Sequence, residues 1–283
     1  MRQFMIVVVF LAAGVGAAKA EWKTIAPGME LGKFEASKKS EYGDSRITIL
    51  RVDPNSWDLV YAGTSQIPGS AQKTAKEWSE DQEFAAVINA GMFAQDHETH
   101  VGYVRYRDHV NGSDVDDYES VAAFDPKREG LPRFRIFDLD VPGVTIESIL
   151  RDYSSVVQNL RLIKRPGQNR WSAKTEKWSE AAVGEDKEGR ILFIFCRSPY
   201  SMRDLNRELL SLGIGVVCAQ HLEGGPEAQL YVAVGGVELE LTGSFETAFV
   251  ENDENERAWP IPNVLGLRPR APVGELNRGG KNE

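Results

Sequence analysis

The segment Glu223-Gly224-Gly225-Pro226 joins a carboxylate to two glycines directly after the apolar run 214–222. Glycine permits positive φ and lets a ligand approach the backbone closely, so this spacing is typical of a ligand site at a strand end. The acid/base role would fall to Glu223, with Gly224 and Gly225 binding substrate. The structural alternative is a tight turn between strands 214–222 and 229–234 that carries an exposed Glu223.

Side-chain amides follow or interrupt two other apolar runs. Asn89 and Gly91 end the run 83–88, and Gln158 and Asn159 lie within the strand-like stretch 155–163. An amide both donates and accepts hydrogen bonds, which suits a sugar hydroxyl, and a buried amide needs partners. We expect these four residues to bind substrate. Amides that hold their own loops are the alternative.

His97 and His100 form an H-x-x-H pair beside two acidic residues. They are the only candidate metal ligands, and no third ligand stands at a usual spacing. We therefore predict a solvated loop here, with no metal and no cofactor. Cys196 and Cys218 lie in apolar strands, where they either pair in a disulfide or remain free thiols.

The N-terminus has the pattern of a secretory signal peptide. Arg2 precedes the apolar run 4–15, and Ala18-Lys19-Ala20 supplies a small-residue cleavage site. We expect cleavage near Ala20 and a secreted or periplasmic protein. The run is short for a membrane span, and no later segment is apolar enough, so stable membrane insertion is not expected. A net charge of −9 argues against nucleic acid as a partner.

Hydrophobic periodicity predicts strands and helices throughout residues 46–268, with a disordered polar tail over 269–283. Strands 46–52 and 57–62 read as a pair packed on a core of 83–268. Helices are expected at 70–79, 145–153 and 201–212. The stretch 155–163 reads as one strand, Asn111-Gly112 as a hairpin turn, and 164–180 as a polar loop suited to a lid or rim. These elements predict an α+β fold, a twisted mixed β-sheet flanked by helices.

The C-terminal strand–helix–strand unit sets the expected geometry of the site. Strands 190–196 and 214–222 flank the helix 201–212, so they should run parallel. Ligands bind at the carboxyl ends of parallel strands, which places Arg197 and Ser198 beside Glu223. Arg197 and the helix N-terminus would hold an anion, and Glu223 would do acid/base work on it. A structural Arg197–Glu223 salt bridge is the alternative.

Five motifs together resemble the phosphodiester glycosidase domain family, which includes the enzyme that uncovers N-acetylglucosamine phosphodiesters and bacterial exported proteins. The resemblance spans roughly residues 85–268. It rests on the order of Asn89-Ala90-Gly91-Met92-Phe93, Ala182-Val183-Gly184, the helix 201–212, Leu222-Glu223-Gly224-Gly225 and Pro262-Asn263-Val264.

The resemblance implies an α+β core and hydrolysis of a sugar 1-phosphodiester. This chain departs from the family at two points. The family usually has Asp-Gly-Gly-Gly-Ser-Ser where this chain has Glu223 to Ala228, so the hydroxyls are gone. It often has Arg before Ala-Val-Gly, where this chain has Glu180-Ala181.

The sequence thus predicts an exported glycosidase that acts on a glycan phosphodiester or related acidic glycan. A glycosidase normally needs a second carboxylate or a substrate-assisted route, and Asp96, Glu180 and Glu227 are the candidates for that carboxylate. The alternative function is a non-catalytic envelope module that binds glycan in the same pocket. The domain organisation expected is a signal peptide over 1–20, one domain over 21–268 and the tail.

Overall fold

The computed structural model describes residues 22–67 and 69–270. Its strands, in chain order, are β1 Trp22–Ala26, β2 Met29–Glu35, β3 Arg46–Val52, β4 Trp57–Gly63, β5 Ala86–Asn89, β6 Val104–Tyr106, β7 His109–Asn111, β8 Ser120–Pro126, β9 Phe134–Asp138, β10 Tyr153–Asn159, β11 Arg161–Lys164, β12 Gln168–Asn169, β13 Trp178–Asp186, β14 Ile191–Tyr200, β15 Val216–Gly224, β16 Gln229–Val234, β17 Val237–Thr242 and β18 Asn263–Pro269. Its α-helices are α1 Ala75–Gln82, α2 Ile146–Asp152 and α3 Met202–Ser211.

The strands form three sheets. The largest has the order β1-β2-β3-β14-β13-β15-β11-β12, and the other two have the orders β7-β6-β10-β8-β9 and β17-β16-β5-β18-β4. In the central sheet, β13 pairs antiparallel with both β14 and β15. The strands that flank α3 therefore run parallel, as the sequence indicated, but β13 lies between them.

Alternation along β14 explains the layering. Ile194 and Cys196 face a cluster that α3 completes, whereas Phe193 and Phe195 face a second core shared with the other two sheets. Because successive strand residues point to opposite faces, an uninterrupted apolar strand such as β14 must be covered on both sides. The apolar side chains of β14 thus pack on both faces of the largest sheet, against α3 on one side and the other two sheets on the other.

One α-helix covers an outer face of each sheet. Trp78 of α1 packs on the β5 sheet, Ile149 of α2 packs on the β10 sheet, and Leu205 and Leu209 of α3 pack on the central sheet. Each helix begins at a hydroxyl cap. The side chain of Ser201, for example, accepts a hydrogen bond from the Asp204 amide at 3.3 Å. The α+β fold class predicted from the sequence is confirmed.

Local predictions about the N-terminal half were less accurate. Strands β3 and β4 are not partners, because β3 pairs with β2 and β14 while β4 pairs with β18. Helix α1 begins at Ala75 with Thr74 as its cap, five residues after the expected start. The β6–β7 hairpin turns at Arg107-Asp108, and Asn111 ends its second strand.

The stretch 155–163 is two strands, since the chain leaves the β10 sheet at Leu160 and enters the central sheet as β11. Cys196 and Cys218 are both free and buried, which decides between the two alternatives for the cysteines. The predicted signal peptide, and the predicted tail beyond Arg270, lie outside the described residues. Within the described residues, no helix is long and apolar enough to cross a membrane.

Candidate functional site

The site is built on a bulge where β13 pairs with β15. Ala181 is opposite Glu223 and Ala182 is opposite His221, so one step on β13 corresponds to two steps on β15. A bulge re-aims the side chains beside it and is common next to functional sites. Here the extra residue is Leu222, and its two neighbours are the titratable residues His221 and Glu223.

A buried ion pair spans the two strands at this point. His221 Nδ1 lies 2.6 Å from Glu180 Oε1, and the indole Nε1 of Trp178 donates to Glu180 Oε2 at 2.8 Å. Burial lowers the pKa of His221, but the charge and hydrogen bond of Glu180 outweigh it, so the pKa stands above its ordinary value. The contact with Glu180 therefore favours the protonated form of the buried His221.

Glu223 is the acid of the cluster. It is only 7% exposed, and burial raises the pKa of its carboxyl to about 8. The nearby His221 lowers this pKa and the charge of Glu227 raises it. Its Oε1 accepts a hydrogen bond from the Gly224 amide at 3.0 Å. A carboxyl that remains protonated at neutral pH, beside an imidazolium, is suited to general acid catalysis.

Two more carboxylates and a phenol complete the cluster. Burial raises the pKa of both Glu227 and Glu246, and each is half-buried. The charge of His221 reaches Glu246, and the charge of Glu246 reaches Glu227. Burial, together with the charge of Glu223, raises the pKa of Tyr118. The cluster is thus acidic, with His221 as its one basic side chain.

The two positions after Glu223 require glycine for different structural reasons. A Cβ on Gly224 would lie 3.0 Å from Trp178 Cδ1, so this glycine lets the indole pack on the strand. Gly225 has φ +61°, and a Cβ there would lie 2.5 Å from Glu246 Oε2. Strand β15 runs through Gly224, and the turn that follows is Gly225–Glu227. The next strand, β16, does not return beside β15 but joins the β5 sheet.

Asn89 fixes that turn. Its Nδ2 donates to the Glu227 carbonyl at 2.9 Å, and its Oδ1 accepts from the Gln229 amide at 2.7 Å. Gly91 lies against the His100 ring and the Asn159 amide, where a Cβ would clash with both. The structure brings both residues to the edge of the site. Direct substrate binding by Asn89 and Gly91 remains a prediction.

Gln158 and Asn159 are buried at the end of β10. Gln158 Oε1 accepts from the amides of Tyr103 and Val115, and its Nε2 donates to Asp114 at 2.7 Å, so this side chain holds the 112–118 loop. Asn159 Nδ2 donates to the Ala90 carbonyl at 2.9 Å. Gln158 thus has partners for both ends of its amide, whereas Asn159 Oδ1 is buried without a hydrogen-bond partner among the described residues. Contact of either residue with substrate remains a prediction.

Arg197 and Ser198 are also tied to the chain. The guanidinium of Arg197 bonds the carbonyls of Thr242, Asp253 and Asn255 and pairs with the Asp253 carboxylate at 2.7 Å. It thereby anchors the loop after β17, and its partner is not Glu223. Ser198 Oγ accepts from the Ser45 amide at 2.7 Å. These contacts already engage both side chains. Anion binding by Arg197 and Ser198 remains a prediction.

The histidine pair of the 96–100 loop is separated. His97 is exposed with its ring against Phe93, whereas His100 is buried with Nδ1 on the Gly102 carbonyl at 2.8 Å. Asp96 is exposed and caps the same loop through Thr99. In residues 22–67 and 69–270, no three His, Cys, Asp or Glu side chains are grouped as a metal site.

The sequence reasoning missed His221, Glu246 and Trp178. One signal was available for His221, which lies two residues before Glu223 in a strand and so could share its environment. No local signal identifies Glu246, which reaches the site from the loop after β17. Of the three candidates for the second carboxylate, the structure brings Glu180 and Glu227 to Glu223 and leaves Asp96 on the surface.

A buried acid flanked by carboxylates and an imidazolium, in an α+β fold, defines a glycosidase-like protein. The chain belongs to the phosphodiester glycosidase family, which it matches over residues 82–268. No curated protein sequence matches it.

The solved structures that are similar to the chain include the following two. One is the catalytic domain of zebrafish N-acetylglucosamine-1-phosphodiester α-N-acetylglucosaminidase, auto-inhibited by its pro-peptide. It is 16% identical with a TM-score of 0.60, over 89% of this chain and 87% of that one. The other is a hypothetical protein from Synechocystis, 14% identical with a TM-score of 0.62 over 90% of this chain. This chain spans 64% of the Synechocystis protein. At these identities the likeness shows a shared fold.

Proposed function

We propose that the protein hydrolyses the glycosidic bond of a sugar 1-phosphodiester or a related acidic glycan. The observation that carries this proposal is the buried carboxyl of Glu223, whose pKa burial raises to about 8, beside the Glu180–His221 pair. Family membership supports the reaction class, and the zebrafish neighbour is named for cleavage of such a phosphodiester.

The cation accounts for an anionic substrate. His221 uses Nδ1 on Glu180, and its Nε2 makes no hydrogen bond within the part of the chain that the structure describes. A protonated imidazole donates from both nitrogens, so Nε2 is available to a phosphate oxygen. Although Glu180 balances its charge, a protonated His221 would be a strong donor to a phosphate oxygen, because water screens a buried group little. His221 also lies beside Glu180, near the point of β13 where the family often has Arg.

In the proposed hydrolysis, one carboxyl group donates a proton and a second carboxylate accepts one. The bond between the anomeric carbon and the phosphate oxygen breaks, and water adds to the carbon. Glu223 gives its proton to the departing oxygen, and a second carboxylate takes the proton from water. Glu227 and Glu246 are the groups placed for that second role, since Glu180 is already held by His221. The products are a free sugar and a phosphate monoester.

We also propose that the reaction takes place outside the cytoplasm. The support is the signal-peptide pattern of residues 1–20, with its small-residue cleavage site before Glu21. N-terminal sequencing of the protein recovered from its native host checks this point. A mature protein beginning at Met1 would contradict it.

The decisive experiment compares wild type with Glu223→Gln on aryl phosphodiesters of common hexoses and N-acetylhexosamines. Loss of the acid should lower kcat by about 10²- to 10⁴-fold with little change in KM. Glu240→Gln, an exposed site on β17, is the matched control and should leave kcat unchanged. Equal rates for wild type and Glu223→Gln would overturn the role of Glu223. Single Glu227→Gln and Glu246→Gln variants identify the base.

The glycan-binding alternative has one observation in its favour. The hydroxyls of the family motif are replaced by Glu227 and Ala228, which removes donors from the turn. If calorimetry shows binding of the same phosphodiesters without turnover by wild type, the protein is a binding module.

A further inference from the structure

A large basic cleft lies at the end of β13 farthest from the candidate active site. Two adjoining cavities of about 840 Å³ and 450 Å³ form it, and they share Pro54, Pro126 and Arg133. We call the two cavities together the arginine cleft. Glu185 lines the first cavity, five residues along β13 from Glu180, which is about 17 Å in a strand. The cleft is therefore separate from the candidate active site.

The arginine cleft is basic although the chain as a whole is acidic. The first cavity is lined by six Lys or Arg and four Asp or Glu residues, and the second by four and two, with Arg133 counted in both. The full chain has 33 basic and 42 acidic residues. A concave surface whose charges are mainly of one sign concentrates the field and attracts ligands of the opposite sign. This local excess predicts an anionic ligand.

A buried carboxylate holds two of the arginines in place. Glu185 is only 2% exposed, and its oxygens lie 3.2 Å from Arg135 Nη1 and 2.5 Å from Arg165 Nη2. Its Oε2 also accepts a hydrogen bond from the Ile136 amide at 2.9 Å. One carboxylate thus faces two guanidinium charges. Among the described residues, the side chain of Arg135 donates only from Nη1 and that of Arg165 only from Nη2, so their other N–H groups are available to an anion.

Arg133 adds a third guanidinium with no internal partner. It is half-buried, and within residues 22–67 and 69–270 it has neither a carboxylate in salt-bridge range nor a hydrogen bond from its side chain. The planar fork of an arginine binds two oxygens of a carboxylate or phosphate group at once. Three arginines on one cavity therefore suit a ligand that carries several anionic groups.

The second cavity adds ring surface to this charge. Tyr106 and Trp57 both line it, and the guanidinium of Arg107 lies 5.1 Å from the centroid of the Tyr106 ring. Aromatic faces bind flat, partly apolar rings, and the C–H face of a pyranose is such a ring. Pockets for drug-sized ligands measure roughly 300 to 1,000 Å³, so two adjoining cavities of this size have room for several sugar rings. Linked rings with repeated anionic groups describe an acidic oligosaccharide.

We propose that the arginine cleft is a second binding site, separate from the candidate active site, for an acidic oligosaccharide whose carboxylate or phosphate groups contact Arg133, Arg135 and Arg165. This inference goes beyond the proposed hydrolysis and does not depend on it. A protein that binds an acidic glycan here remains attached to the polymer whether or not its other site reacts.

Calorimetric titration with hexagalacturonate tests the site, and the fully methyl-esterified hexamer is the matched neutral probe. A phosphorylated dextran oligomer, with plain dextran as its neutral form, distinguishes phosphate from carboxylate groups. Wild type should bind an acidic form at least about 10-fold more tightly than its neutral form. Arg133→Gln should weaken that binding by about 10-fold, the value of one charge-assisted hydrogen bond, and Arg133→Lys should restore part of it.

The control variant removes the same charge elsewhere. Arg46→Gln changes an exposed arginine at the start of β3, whereas the cleft lies beyond the other end of that strand, at Asp53. Arg46→Gln should bind every probe as wild type does. Because Arg133 makes no internal contact among the described residues, its substitution should leave the melting temperature unchanged, which separates lost binding from lost folding.

Binding of an acidic probe that Arg133→Gln weakens and Arg46→Gln does not supports the site. No binding, equal binding of acidic and neutral forms, or equal effects of the two substitutions would overturn it. A single-stranded oligonucleotide bound as tightly as the best glycan would also overturn it, because charge alone would then explain the affinity. Hydrolysis is judged separately with the aryl phosphodiesters. There Arg133→Gln should keep the wild-type kcat, and a loss of kcat would contradict a separate site.

Discussion

Replacing Glu223 by Gln should make the protein more stable at neutral and alkaline pH while removing its acid. The folded protein holds this carboxyl neutral up to a pKa of about 8, whereas the unfolded chain releases the proton near the ordinary value of 4.5. Between these values the unfolded state binds fewer protons than the folded state, so wild-type stability falls as pH rises. The neutral glutamine has no such dependence.

The size of the effect follows from that interval. Each pH unit above 4.5 costs the wild type about 1.4 kcal/mol relative to the variant, because one pKa unit is worth that much. The variant should therefore gain about 2 kcal/mol at pH 6 and about 4 kcal/mol at pH 8. Glutamine keeps an Oε1 that accepts the Gly224 amide hydrogen bond, so the local contact is preserved.

Urea unfolding of both proteins at pH 4.5, 6 and 8, followed by tryptophan fluorescence, measures these differences. Titration of other groups contributes similarly to both proteins and largely cancels in the comparison. Glu240→Gln, which removes the same charge from an exposed position, should show no such pH dependence. A constant difference at all three pH values, or a variant less stable at pH 8, would refute a protonated Glu223 and its role as the acid.

Three further results are expected. In the pH–rate profile, kcat/KM should fall above pH about 8 as Glu223 loses its proton, and a profile flat to pH 10 would contradict this. Glu180→Gln should lower the free energy of unfolding by about 3 to 5 kcal/mol below pH 6.5, where wild-type stability includes the paired His221 cation. The loss should be smaller at pH 9, because that contribution disappears as pH rises through the raised pKa of His221. Urea unfolding at pH 6 and 9 measures the loss, and an equal loss at both would count against the ion pair. Gly225→Ala should lower the free energy of unfolding by about 1 to 2 kcal/mol because of the positive φ, and further because the new Cβ meets Glu246. Gly236→Ala, at φ +75° in open space, isolates the cost of the positive φ in the same urea-unfolding measurement.

The C-terminal half of the fold could be predicted because its signals are local. The apolar run of β14, the cap at Ser201 and the leucines of α3 each act within a few residues, and they stand where the sequence placed them. The partners of β3 and β4 could not be predicted in this way. A short turn suggested a hairpin, but each strand pairs with a strand far along the chain, β14 for β3 and β18 for β4.

The candidate site shows the same contrast between local sequence signals and tertiary contacts. The sequence alone is enough to propose Glu223 and its glycines as a site, since a carboxylate between a buried strand and a Gly-Gly turn is a local pattern. Only the tertiary structure decided what surrounds that carboxyl. The pKa of Glu223 depends on burial, on a bulge that brings His221 beside it, and on the charges of Glu227 and Glu246 from elsewhere in the chain. Register and desolvation are properties of the packed sheet, so the chemistry of this acid exists only once β13 and β15 are paired.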